Sequence, residues 1–88
     1  MSCTVRIASP LQSYTAGAAR VDGRGDTLAE VLGDLEQRFP GIRFRMIDEQ
    51  GRIRPHMRLF VNTDEARDLT AAVHGGDTVH VICALSGG

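Results

Sequence analysis

The sequence contains no lysine and no tryptophan, and only two of its 88 residues are cysteines. Because all ten positive side chains are arginines, no side chain can accept an isopeptide bond, and the chain cannot polymerise on itself in that way. Cys3 and Cys83 are too few for the disulfide framework of a small secreted domain. No apolar run approaches the ~20 residues that cross a bilayer, and the first residues lack the layout of a signal peptide. We therefore expect a cytoplasmic protein.

The charge of the chain is nearly balanced. Ten basic and 11 acidic residues give a net charge of −1, and the basic residues form no stripe along the sequence. This pattern argues against nucleic acid or an anionic membrane as the main partner. A length of 88 residues predicts one small domain, which we place at residues 1–85, followed by a flexible tail at residues 86–88.

Apolar residues that alternate with polar ones predict the strands. The predicted strands are residues 3–8, 18–21, 57–62 and 78–85. Loose or turn-forming segments are expected between them, at residues 9–17, 22–26, 42–51 and 63–68. A short helical turn is expected at residues 69–73.

One segment has the pattern of an amphipathic helix. Thr27 and Glu30 form a predicted capping box at its start, and Pro40-Gly41 ends it. Its apolar positions are spaced to lie on one face, and they are Leu28, Val31, Leu32, Leu35 and Phe39. Gly33 falls on the opposite side of this helix.

The order of these elements predicts an α+β fold. A hairpin, a helix and later strands form a mixed sheet of four to five strands with the main helix packed across one face. The crossover through the helix places the first and last strands in the centre, parallel to each other. This arrangement is the β-grasp, or ubiquitin-like, architecture.

Side-chain alternation also predicts an exposed patch on the face of the sheet away from the helix. Leu59, Val79 and Val81 should point toward the helix, which leaves Phe60, His80 and Ile82 on the other side. An apolar pair beside the end of the chain suggests a docking surface, to which we add Leu85 and Ser86. The alternative is that Phe60 is tucked under the loop of residues 48–55.

The last two residues, Gly87 and Gly88, offer the lowest steric barrier to entering a narrow active site. Ordering glycine also costs more backbone entropy than ordering any other residue. The pair is therefore poorly suited to holding a fold together and well suited to delivering a carboxylate to another protein.

Four short motifs occur in a characteristic order, and they are Gly25-Asp26-Thr27-Leu28, Phe60-Val61-Asn62, Gly76-Asp77-x-Val79 and the final diglycine. With this set the chain resembles the MoaD/ThiS family of ubiquitin-like sulfur-carrier proteins over nearly its whole length. The segment of residues 48–62 is more similar to the branch that contains CysO and the thioquinolobactin carrier.

The resemblance implies a cycle in which Gly88 is the reacting residue and Gly87 provides clearance. A partner adenylating enzyme would use ATP and magnesium to convert the carboxylate of Gly88 into an acyl-adenylate, and sulfur would then displace AMP to leave a thiocarboxylate. An acceptor synthase would take that sulfur into cysteine or a thio-containing metabolite. A metal-dependent peptidase is a further expected partner. The carrier itself would bind no cofactor and catalyse nothing.

Three alternatives remain open at this point. The chain could be a ubiquitin-like modifier joined through Gly88 to lysines of other proteins, since the activation step is the same. It could be the small subunit of a molybdopterin-synthase-like complex. It could also be an interaction module whose terminus is inert.

Other candidate sites have less support. The spacing of His56, His74 and His80 matches no short metal signature, so we expect no metal site. Cys83 shares its parity with inward-facing residues and is expected to behave as a small hydrophobe rather than a nucleophile. In parallel central strands Cys3 and Cys83 lie about four residues apart at ~3.3 Å each, too far for a disulfide.

Overall fold

A computed structural model describes residues 2–83. The elements in chain order are β1 (Ser2–Arg6), a 3-10 helix (Ser9–Thr15), β2 (Arg20–Arg24), α1 (Leu28–Arg38), α2 (Ile42–Met46), β3 (Met57–Val61), β4 (Asp64–Ala66) and β5 (Thr78–Cys83).

The five strands form one mixed sheet in the order β2-β1-β5-β3-β4. The two central strands, β1 and β5, are parallel, with Val5 beside Val79, and the other neighbours are antiparallel. This is the predicted α+β, β-grasp arrangement. The fold prediction is confirmed, with five strands in a sheet that was predicted to have four to five. The first and last long strands lie in the centre, as the crossover through α1 requires.

Helix α1 packs across one face of the sheet and contributes four residues to the core. Its residues Leu28, Val31, Leu32 and Leu35 are buried, as predicted from their spacing. They belong to the same buried cluster as sheet residues such as Leu59. Burying each of these side chains contributes about 1.5–3 kcal/mol.

The start of α1 differs slightly from the expected capping box. The Thr27 hydroxyl accepts a hydrogen bond from the Glu30 N–H at 3.3 Å, as predicted. The Glu30 carboxylate, however, accepts from the N–H of Asp26 at 2.8 Å rather than from that of Thr27. Both hydrogen bonds fix the backbone that leads into α1.

Strand β2 extends to Arg24, so the turn predicted at residues 22–26 is wrong for its first three residues. The reason is Gly23, which is buried inside the strand and pairs with Cys3. A Cβ at this position would lie 2.9 Å from side-chain carbons of both Val31 and Val5. Glycine is present because the helix and the sheet approach closely here, and not because the chain turns.

Two short helices replace segments that were expected to be irregular. Leu11 is buried in the 3-10 helix, which ends where the Thr15 hydroxyl donates to the Ala18 carbonyl at 2.7 Å. Helix α2 forms because Ile42 and Met46 lie one turn apart and are both fully buried.

The carboxylate of Glu36 in α1 holds the beginning of α2. It accepts hydrogen bonds from the N–H groups of Gly41 at 2.8 Å and of Arg43 at 2.9 Å. The bond from Gly41 is the larger cause of a lowered pKa of Glu36.

The region between β3 and β5 also departs from the prediction. Residues 63–68 contain the short strand β4, and residues 69–73 contain a turn at residues 69–70 but no helix. The Ala71 carbonyl instead accepts from the Leu28 N–H, and the Leu69 carbonyl accepts from the Ala29 N–H, both at 3.0 Å. The first N–H groups of a helix have no partner within it, and the segment of residues 69–71 supplies acceptors for two of them.

Candidate functional site

The site is organised around the end of β5, from which the predicted tail follows. Cys83 is the last residue that the structure describes, and it pairs with Met57 across the antiparallel β3. The last strand, predicted at residues 78–85, is described up to Cys83. Leu85, Ser86, Gly87 and Gly88, the tail residues of the predicted site, lie outside the described residues.

The three described residues of the predicted docking surface lie together on the sheet face opposite α1. We call Phe60, His80 and Ile82 the outer-face patch. Phe60 and His80 are a cross-strand pair and both are half-buried, while Ile82 is 44% exposed. The exposure of Ile82 agrees with the prediction that its side chain presents apolar surface to solvent. Phe60 presents less apolar surface than predicted, because its side chain is half-buried.

Charged side chains surround the outer-face patch. Arg6 pairs with His80 from β1, and Glu65 pairs with Phe60 from β4. Arg58 lies opposite Ile82 and forms an ion pair with Glu65 at 3.1 Å. The patch is therefore a small apolar area framed by charges, a composition that partner-binding surfaces often have.

Phe60 faces away from the core. Among the residues that the structure describes, the half-buried hydrophobic side chains that pack on the core include Val61 and Cys83 but not Phe60. This placement agrees with the predicted alternation in β3. The role of the outer-face patch in binding a partner stays a prediction.

The opposite end of β5 holds a hydrogen-bonded network. The Asn62 side chain donates to the Asp77 carboxylate at 3.1 Å and accepts from the Thr78 N–H at 3.0 Å. The Asp77 carboxylate also accepts from the His74 N–H at 2.8 Å. The bond from His74, and then that from Asn62, holds the pKa of Asp77 below its usual value.

This network gives two of the sequence motifs, Phe60-Val61-Asn62 and Gly76-Asp77-x-Val79, a structural role. Asn62 adopts a left-handed backbone conformation with φ 55°, which asparagine tolerates better than most residues. It joins the end of β3 to the start of β5, and Asp77 fixes the turn before β5. A third motif is structural too, because a Cβ on Gly25 would lie 2.5 Å from the Glu30 Cβ and 2.8 Å from the Val31 nitrogen.

The cysteines agree with the sequence interpretation. Cys3 is buried, and burial raises the pKa of its thiol. Cys83 is half-buried and packs against the core, and both cysteines are free thiols. Within residues 2–83 no group of three or more His, Cys, Asp or Glu side chains is placed to hold a metal ion. Over the same range no helix has the length and apolarity needed to cross a membrane.

Sequence reasoning missed one surface next to the end of β5. A groove of about 350 Å³ is lined by Pro10, Leu11, Phe44, Arg45, Arg54, His56, Met57 and Cys83, and we call it the tail-root groove. Phe44 projects from α2 and is 54% exposed. The sequence offers one weak signal, the apolar pair Ile42 and Met46 four residues apart, and two positions are too few to predict a helical turn with Phe44 on its outer side.

Comparison with known proteins gives a consistent result. A sequence model of the ThiS family matches residues 5–88. The sulfur carrier protein CysO of Mycobacterium tuberculosis is 34% identical over 93 aligned positions that cover 100% of both chains. Its crystal structure superimposes with a TM-score of 0.90 at 33% identity, covering 94% of this chain and 99% of that one.

Two further structures are similar. In the BexX/CysO complex of Amycolatopsis orientalis, the matching chain has a TM-score of 0.91 and 32% identity, with 98% of this chain and 99% of that chain covered. SAMP1 of Haloferax volcanii has a TM-score of 0.83 over 100% of both chains. At 24% identity, the likeness to SAMP1 shows the shared fold alone.

Proposed function

The chain belongs to the ThiS family, and we propose that it is a sulfur-carrier protein in which Gly88 is converted to a thiocarboxylate that donates sulfur for biosynthesis. The observation that carries this proposal is the full-length similarity to the sulfur carrier protein CysO, at 34% identity over 100% of both chains. Gly87 and Gly88 supply the diglycine that this chemistry uses.

The carboxylate of Gly88 must be activated by a partner enzyme before it can accept sulfur. A carboxylate is anionic near neutral pH and is a poor electrophile, because oxide is a very poor leaving group. We propose that an adenylating enzyme uses ATP and magnesium to form an acyl-adenylate at Gly88. Attack by sulfide then breaks the bond to AMP and forms the carbon–sulfur bond of the thiocarboxylate. Attack by a persulfide forms an acyl disulfide instead, and a thiol reductant must cleave its S–S bond to release the thiocarboxylate. The carrier binds no cofactor and performs no catalysis in this scheme.

The scheme also proposes where the partner binds. The adenylating enzyme docks on the outer-face patch and receives Leu85 and Ser86 along with Gly87 and Gly88. The exposure of Ile82 beside charged side chains supports this placement. A partner complex of a related carrier, BexX with CysO of Amycolatopsis orientalis, supports the general expectation of a docking protein.

We propose an acceptor synthase that uses the sulfur to make cysteine, in the cytoplasm, on the strength of the similarity to CysO. A thio-containing secondary metabolite is a second destination within the same mechanism, and molybdopterin, thiazole and thiolated tRNA are further ones. A metal-dependent peptidase that exposes or regenerates the diglycine completes the expected set of partners.

Mass spectrometry of the protein isolated from its native cell tests the proposal. A sulfur carrier gives a fraction of the free chain whose mass corresponds to one oxygen replaced by sulfur at Gly88. A ubiquitin-like modifier gives branched Gly-Gly adducts on lysines of other proteins instead. Detection of such adducts, with no sulfur-containing form of the free chain, would overturn the proposal.

Deletion of Gly88 provides the matched control. The shortened chain should show no sulfur-containing form and no biological activity, since the reacting carboxylate is displaced by one residue. Full activity after the deletion would instead support an interaction module with an inert terminus.

A further inference from the structure

The tail-root groove is a second surface beside the reacting end of the chain, on the other side of the sheet from the outer-face patch. Cys83 lines this groove. The preceding residues of β5 point alternately toward the core and toward the outer face. Leu11 and Met57, both buried, contribute its apolar part, and Phe44 contributes an exposed aromatic ring. The two surfaces therefore flank the point where the tail leaves the domain.

Two arginines give the groove a positive charge. Arg45 and Arg54 line it together with the imidazole of His56, and no carboxylate is among the lining residues that the structure describes. The three ion pairs found within residues 2–83 use other cations. A concave surface with charge of one sign attracts a ligand of the opposite sign and raises its rate of association.

The carboxylate of Asp48, outside the groove, interacts with Arg54. Arg54 contributes to lowering the pKa of Asp48, but the largest cause is the hydrogen bond that the Arg52 N–H donates to the Asp48 carboxylate. That carboxylate also accepts from the Gln50 N–H at 2.9 Å. Asp48 is thus part of a tight turn and does not line the groove.

An aromatic stack fixes part of the groove in place. The Arg54 guanidinium carbon lies 4.5 Å from the centre of the Phe44 ring, and the Arg54 Nε donates to the Phe44 carbonyl at 2.8 Å. Both side chains are held by each other rather than free in solvent. Surfaces ordered in this way lose little side-chain entropy on binding, and aromatic and arginine side chains are the usual anchors of interfaces.

The length of the tail places the groove within reach of any enzyme that acts on Gly88. Gly88 lies five residues after Cys83, and an extended chain spans at most about 3.5 Å per residue, or roughly 18 Å in total. An active site that holds Gly88 therefore lies close to the groove. A single partner can contact the groove and the tail together.

We propose that the tail-root groove binds an acidic segment of the adenylating enzyme, with carboxylates directed at Arg45 and Arg54 and an apolar side chain against Phe44. The charge of the lining residues and the exposed aromatic ring determine this choice of ligand. The inference rests on the proposed function, since it requires an enzyme that activates Gly88. Contact here fixes the direction in which the tail enters that enzyme.

The experiment measures ATP–pyrophosphate exchange by the adenylating enzyme from the same cell as a function of carrier concentration. The variant is the double substitution Arg45→Glu and Arg54→Glu. The matched control is Arg20→Glu, because Arg20 is exposed on β2, which β1 separates from β5. The KM for the double variant should rise at least tenfold with kcat retained, and the control should remain within about twofold of the wild type.

Ionic strength provides a second readout. The wild-type KM should rise as salt screens the attraction, and this dependence should be lost in the double variant. Arg45→Glu alone serves as a further variant, because Arg45 is exposed and its side chain makes no hydrogen bond within residues 2–83. It should raise KM more than Arg20→Glu does, even where the double variant folds poorly.

Two negative results have different meanings. A wild-type chain that supports no exchange would overturn the proposed function and, with it, this inference. A wild-type chain that is active, with Arg45→Glu and the double variant indistinguishable from Arg20→Glu, would overturn the inference alone.

Discussion

The two ends of β5 are built from different kinds of residue. Where β5 begins, the side chains of Asp77 and Asn62 are hydrogen-bonded to each other and to the N–H groups of His74 and Thr78. Where β5 ends, Ile82 and Phe44 expose apolar surface, and Arg45 lines an open groove.

The difference separates stability from recognition within one small sheet. Polar groups that are hydrogen-bonded to each other stabilise the fold, while exposed aromatic, aliphatic and arginine side chains are available to a partner. We therefore expect substitutions at the start of β5 to change the free energy of unfolding without changing partner binding. Substitutions at the end should do the reverse.

The largest effect is expected where α1 begins, near the start of β5. Gly25→Ala should lower the free energy of unfolding by about 3 kcal/mol, because the new Cβ would meet the Glu30 Cβ and the Val31 backbone. The matched control is Gly33→Ala, whose Cβ would enter open space on the outer side of α1. It should stabilise the protein by about 1 kcal/mol.

Urea denaturation followed by circular dichroism measures both variants. The KM in the exchange assay should remain at the wild-type value for each, since neither glycine lies near Cys83. Equal effects of Gly25→Ala and Gly33→Ala on the denaturation midpoint would show that helix propensity, rather than the close contact, determines the result.

The next effect in size concerns the outer-face patch. Phe60→Ala should leave the fold intact and weaken binding of the adenylating enzyme by about 2 kcal/mol, equivalent to roughly a 30-fold higher KM. Thr63→Ala, exposed in the neighbouring turn, is the control and should change neither quantity. An unchanged KM for Phe60→Ala would remove the outer-face patch from the binding surface.

The smallest effect is expected from Asp77→Asn, and it depends on pH. The pKa of Asp77 is lowered in the folded chain, so its stabilising contribution is complete above the unfolded value of about 4 and is lost as the pH falls through the folded value. The wild type should be more stable than the variant at pH 7, and the two should converge on acidification. Urea midpoints measured across this range test the prediction, which fails if the difference grows toward low pH.

Much of the fold could be predicted because its main elements have regular periods. The apolar spacing of α1 and the alternation in β3 and β5 come from local burial on one face, which a sequence displays directly. Gly23 was misleading, since a glycine demanded by close packing has the same sequence signature as one demanded by a turn. The brief α2, with only two buried positions, offers too short a pattern to distinguish from an irregular segment.

The candidate site also has one part that the sequence predicts and one part that it does not. Phe60, His80 and Ile82 were placed correctly on one face because strand alternation determines which side each residue faces. The tail-root groove was not predictable in this way. Its lining comes from the 3-10 helix, α2, the segment that leads into β3, and the strands β3 and β5, and only tertiary packing brings Leu11 and Cys83 into the same groove.

The most direct measurement is reconstitution of the sulfur transfer with purified components. The wild-type chain is incubated with its adenylating enzyme, ATP, magnesium and a sulfide source, and the intact mass of the chain is followed against a reaction without ATP. We predict an ATP-dependent mass shift that corresponds to one oxygen replaced by sulfur and that maps to Gly88. A chain that forms pyrophosphate with the enzyme but never acquires sulfur would contradict the assignment of this protein as a sulfur carrier.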